Sequence, residues 1–186
     1  AWVNNADVEF LSNHYINYEP AYHGLNPDSG VGTKTTGDPR IERNINSANF
    51  GRSAETLPLI AQRMREQKVC LDCYPYAASS TMLSESRAVM ASKVLIASSY
   101  PHPEYDGRDL DEVIAEMGLP RAQVIAKLLP ASAIYFAMHE DDVRRILAFP
   151  DTMIGSDGIP LGGNPHPRLW GTFPRVLGLY SRELGL

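Results

Sequence analysis

The chain has 186 residues, a net charge of −5, 44% hydrophobic residues and 21% charged ones. That profile fits one ordinary domain with its own core and offers no basic surface for nucleic acid or an anionic membrane. No apolar run approaches the roughly 20 residues that a membrane helix needs, and no secretory leader is visible.

In chain order, "DVEFLSNHYI" (7–16) alternates like a strand. Residues 17–40 are rich in Gly, Pro, Asn, Asp and Thr and read as a long loop or insertion. A helix is expected over 53–67, where Leu57, Ile60, Ala61 and Met64 recur at helical spacing. It lacks a capping box, because position 56 is Thr and Glu55 stands one residue early. Strands are expected at 68–76, 94–99, 133–138 and 152–156, with a short helix or ordered loop over 79–93. Helices are expected at 109–119, closing near Gly118, and at 120–130, opening on Pro120. A further helix at 139–149 carries acids in its first turn and arginines later. The last is expected at 172–184. Alternating strands and helices point to an α/β fold with parallel strands.

In such folds the working residues gather at the C-terminal ends of the strands. Here those ends carry Asp72 with Tyr74-Pro75-Tyr76, then Met138-His139-Glu140, then Asp157. Each has a plainer alternative. "SDG" is turn chemistry, with Asp bonding its own backbone and Gly accepting a positive φ. Tyr74 and Tyr76 fit as core aromatics. His102 and His139 read as structural, and Asp141 and Asp142 as charges at a helix start. Arg168 follows His166 and Pro167, in a segment expected to be extended. It is either a clamp for a carboxylate or a solvated or structural cation. Cys70 and Cys73 have C-x-x-C spacing but lie in a strand, where positions i and i+3 face opposite sides. They read as neither a redox pair nor a zinc knuckle. Two cysteines make no disulfide framework, so a cytoplasmic location is expected. No His-x-His and no His-x-x-x-His occurs.

The segments "NFGRSAETLPLI" (49–60), "LDCYPYAASSTML" (71–83), "VLIASSYPHPEYDGRDL" (94–110), "AIYFAMHEDDVRRILAFPDTMIGSDG" (133–158) and "HPRLWGTFPRVLGLYSRELGL" (166–186) together resemble the N-acyl-D-amino-acid deacylases of the amidohydrolase superfamily. The resemblance covers about 49–186. It implies a partial TIM barrel, comprising the last strands and helices of one metal-dependent hydrolase barrel domain across 1–186. It places the catalytic acid on Asp157 and the binding of the substrate carboxylate on Arg168, helped by Tyr74.

The resemblance also implies zinc, as one or two divalent ions, with Asp157 as a ligand. Aligning "LSNHY" with the family's His-bearing segment makes His14 a second ligand and 17–40 an insertion. The other ligands are expected before Ala1, in a missing N-terminal part of the same enzyme. The implied substrate is a small-molecule N-acyl-D-amino acid, cleaved by metal-activated water to a carboxylate and a D-amino acid. Two alternatives stand beside this. One is a truncated, non-catalytic piece; the other is an amidohydrolase acting on cyclic amides.

Overall fold

The computed structural model describes residues 50–66, 68–160 and 163–186, together with two backbone strands at 8–13 and 17–19. Seven strands and six α-helices follow in order: β1 (Val8–Asn13), β2 (Asn17–Glu19), α1 (Ser53–Glu66), β3 (Lys68–Cys73), β4 (Ser79–Met82), α2 (Glu85–Ala88), β5 (Lys93–Ser99), α3 (Leu110–Met117), α4 (Arg121–Leu128), β6 (Ala131–Phe136), α5 (Glu140–Leu147), β7 (Thr152–Ile154) and α6 (Arg168–Arg175). A π-helical segment, Val176–Glu183, continues from α6. The start of the expected loop is a strand, since residues 17–19 pair with β1. The remainder, 20–40, lies outside the described residues.

The strands form two sheets. One has the order β2-β1-β3-β7, with β1, β3 and β7 parallel and β2 antiparallel to β1. The other, β4-β6-β5, is wholly antiparallel. The expected parallel arrangement therefore holds only for the first. The reason lies in the connections. One helix between two strands returns the chain for a parallel neighbour. Between β5 and β6 the chain runs through two helices, α3 and α4, and so arrives reversed.

The second sheet is an excursion. β3 and β7 are direct neighbours, Leu71–Cys73 lying against Thr152–Ile154, although the whole β4-β6-β5 sheet separates them in sequence. The excursion has its own core. Val94, Ile96, Ala133 and Tyr135 face α3 and α4, where Val113, Val124 and Leu128 are fully buried. Ile134 and Ala97 turn to the opposite face, following the two-residue period of a strand. The first sheet has a separate core, built from Ile60 of α1, Leu71 and Tyr74 at β3, Ile146 of α5 and Tyr180 of the π-helical segment. Helix α6 exposes Trp170 and Phe173, and Leu177 continues the stripe one turn on.

The missing capping box of α1 is replaced from a distance. Asp142 of α5 is completely buried. Its carboxylate accepts the Gly51 N–H at 2.6 Å and the Ser53 N–H at 3.0 Å, and also bonds the Ser53 hydroxyl. Arg145 donates to it at 3.0 Å. The two neighbouring acids thus part company: Asp141 is exposed, whereas Asp142 fastens the orphan amides of one helix to the flank of another. Asp142→Ala leaves these donors and Arg145 without their acceptor. It should destabilise the protein by about 3 kcal/mol or more, read as a lower denaturant midpoint, with Asp142→Asn falling between the variant and the parent.

Candidate active site

The end of β3 supplies the floor. Tyr74 follows Cys73 directly and is buried. Its ring lies under the Arg168 guanidinium, with Cζ 4.7 Å from the ring centroid. Burial pushes the Tyr74 hydroxyl well above the ordinary phenol range, against the pull of Arg168, so it stays protonated. Tyr76 is half-buried and works on the neighbouring residues. Its ring meets His166 edge-on at 5.1 Å, and its hydroxyl sits where a Cβ on Gly171 of α6 would be, so position 171 has no room for one. Arg175, at the end of the same helix, donates to the Pro75 carbonyl at 2.7 Å and covers the Tyr76 ring at 5.1 Å.

The end of β7 supplies Asp157. The turn differs from the one read in the sequence. The left-handed residue is Asp157 itself, at φ 46°, a conformation that Asp adopts more readily than most residues. Gly158 is required for closeness instead: a Cβ there would stand 2.8 Å from the Leu169 Cα. The turn is closed by Ser156, whose Oγ accepts the Gly158 N–H at 3.3 Å.

The His-Pro-Arg segment is the start of a helix, not an extended loop. Pro167 has φ −54° and ψ −20°, and Arg168 opens α6. His166 is buried, and its Nδ1 accepts the Arg168 N–H at 3.0 Å. Arg168 is 1% exposed, which removes the solvated alternative and leaves the structural one beside the clamp. Its Nη2 reaches the Asp157 Oδ2 at 2.7 Å and donates to the Ser80 carbonyl at 3.2 Å. Its Nε and Nη1 are buried and have no hydrogen-bond partner among the described residues. Arg168 also lines a cavity of about 130 Å³, together with Ser80, Thr81, Met82, Ser132, Ile159 and His166.

Three of the four predicted site residues, Asp157, Arg168 and Tyr74, therefore meet at one place. His14 lies outside the described residues. Among the described residues no group of three His, Cys, Asp or Glu side chains gathers as a metal site. Cys73 is buried, and burial raises its thiol far above the usual range, so it supplies no thiolate. His102 is bound to Glu104 at 2.9 Å on the surface. His139 caps α5 through Nδ1, which accepts the Asp141 N–H at 3.1 Å. The Ser80 carbonyl was invisible to sequence reading, because a backbone oxygen carries no residue signature. His166 did carry a signal, since an acceptor placed two residues before the first turn of a helix is capping geometry.

No protein-family model matches the chain. Sequence comparison aligns it with the D-aminoacylase of Alcaligenes xylosoxydans xylosoxydans, 61% identical over 138 residues, which are 74% of this chain and 28% of that protein. A crystal structure of D-aminoacylase, described as defining a novel subset of amidohydrolases, superposes with a TM-score of 0.71 at 58% identity, covering 76% of this chain and 30% of that one. The N-acyl-D-glutamate deacylase of Bordetella bronchiseptica, solved with zinc and a phosphonate mimic of the tetrahedral intermediate, gives the same TM-score of 0.71 at 46% identity, covering 76% of this chain and 30% of that one. Fold and matched residues together define a segment of an amidohydrolase. Over its matched three quarters, the chain belongs to the N-acyl-D-amino-acid deacylase family.

The close seat of the Asp157 turn on α6 is testable. Gly158→Ala forces the turn away from Leu169 and should lower stability by about 1–3 kcal/mol. Asp157→Gly frees the left-handed backbone but leaves the buried Arg168 without its carboxylate at 2.7 Å, and should lower the thermal midpoint. Scanning calorimetry on the two variants checks both.

Proposed function

We propose that this chain forms the carboxylate-binding wall of an N-acyl-D-amino-acid deacylase. One observation carries the reading: Arg168, which lines a cavity, is 1% exposed and keeps two buried nitrogens without partners among the described residues. Leaving buried donors unmatched costs about 1–3 kcal/mol each, so the arrangement favours a ligand that supplies oxygens. Nη2 gives its two hydrogens to Asp157 and the Ser80 carbonyl, so a carboxylate would accept from Nε or from Nη1. Tyr74 beneath the plane holds the fork flat. An N-acyl-D-amino acid carries such a carboxylate next to its scissile amide.

In this reading Asp157, with its side chain half-exposed and paired to Arg168, is the group that moves protons. It takes one from the attacking water and returns it to the departing amine. Binding by Arg168 fixes a part of the substrate that does not react, and so positions the part that does. Zinc is the proposed metal, by analogy with the zinc-bound deacylase. Of the side chains implied as ligands, the described residues offer it only Asp157. They do not build its site, and the other ligands belong to the rest of the polypeptide.

The chain spans 28% of the length of its D-aminoacylase relative, and α6 with the π-helical segment after it leaves Trp170, Phe173 and Leu177 uncovered. Both support a larger enzyme around this wall. We assign β1, β3 and β7 to neighbouring strands of its TIM barrel, with Tyr74 and Asp157 following the C-terminal ends of two of them.

The tests use the intact enzyme that carries this sequence. Asp157→Asn keeps the left-handed backbone that asparagine tolerates and removes the base. Turnover of an N-acetyl-D-amino acid should fall by about 10²–10⁴-fold, with the fold retained by circular dichroism; unaltered turnover would overturn the assignment. Arg168→Lys should raise KM by about 10–100-fold, the loss of one or two charge-assisted bonds. The parent should discriminate strongly against the matching carboxamide, and the lysine variant should not.

A further inference from the structure

We infer that His166 is a positioning residue, acting through its Nδ1 on the backbone of Arg168. The inference rests on the carboxylate-binding role proposed for Arg168. His166 is 5% exposed, and its Nδ1 accepts the Arg168 N–H at 3.0 Å. That N–H is one of the orphan donors at the start of α6, whose first residue has no partner one turn back. Pro167, the residue between, has no N–H of its own. His166 therefore does the work normally given to Asn, Asp or Ser at a helix start.

Accepting this bond requires Nδ1 to be bare. The neutral ring must then carry its proton on Nε2. The ring is held in turn by Tyr76, edge-on at 5.1 Å. Tyr76 is held by the close approach of its hydroxyl to Gly171 and by Arg175 over its face. The two tyrosines of Tyr-Pro-Tyr thus divide one task. Tyr74 supports the Arg168 guanidinium, and Tyr76, through His166, supports the Arg168 main chain.

The requirement is for an acceptor at one place, which separates two near-isosteric substitutions. Asn carries its Oδ1 at the same reach as Nδ1, whereas Gln carries its Oε1 near the position of Nε2. In the intact enzyme, His166→Asn should keep KM for an N-acetyl-D-amino acid within about threefold. His166→Gln and His166→Ala should raise it about tenfold or more, the effect of one lost hydrogen bond of roughly 1.4 kcal/mol. In all three, kcat should change less than KM. Nitrogen-15 spectra of histidine-labelled parent enzyme should show one imidazole, absent from the Asn variant, with Nδ1 bare and Nε2 protonated.

Equal rises in KM for Asn and Gln would overturn the inference. So would a protonated Nδ1, and that spectrum decides the matter even where a variant fails to fold. A parent that hydrolyses no N-acyl-D-amino acid would sink the deacylase reading instead, while the imidazole spectrum would still test the cap.

Discussion

A single buried guanidinium organises this part of the molecule. Removing a cation from water is costly, and it persists inside a protein only where the surroundings answer its charge and its donors. Arg168 meets that requirement from three directions. The end of β3 places an aromatic face beneath it, the edge of β4 offers the Ser80 carbonyl, and the end of β7 brings Asp157 to 2.7 Å. Each contributor comes from a different stretch of chain. Two of the donors remain unmatched among the described residues, and the proposed carboxylate-binding role rests on that incompleteness.

The elements were largely legible because their cues are local. Leu57 and Ile60 mark a helix face, Gly118 ends α3 at φ 61°, and the α5 and β7 segments lie where their patterns put them. Strand direction was not legible. An apolar alternation reads the same whichever way its neighbour runs, and the two helices expected between β5 and β6 reveal the reversal only once those strands are known to pair. The α6 start was misplaced because Pro167 and the residue before it suggest extended chain. The acceptor on His166 and the packing of Gly158 on Leu169 overrule that preference.

The site itself was half legible. Asp157 and Arg168 stood out at a strand end and in a charged motif, and Tyr74 stood out through its motif. What escaped were groups whose importance is set by distant partners. Asp142 looks like Asp141 in sequence, yet one is solvated and the other caps a helix in another part of the chain. Nothing at position 142 announces that. The Gly-Arg-Ser stretch it serves lacks a local cap, and such an absence is visible in sequence only as a question.

The Ser80 carbonyl has a wider consequence. It belongs to β4, the outer strand of the antiparallel sheet, whose far side has no strand partner among the described residues. An edge carbonyl is free to bond elsewhere, and here it bonds Arg168. The inserted sheet is thereby thermodynamically linked to whatever Arg168 holds. A ligand that binds better while this contact is made must, by reciprocity, favour the contact to the same degree. Occupancy of the guanidinium and docking of the insertion are then two readings of one equilibrium. Changes that loosen the inserted sheet, far from any reacting atom, would register as weaker binding of the ligand.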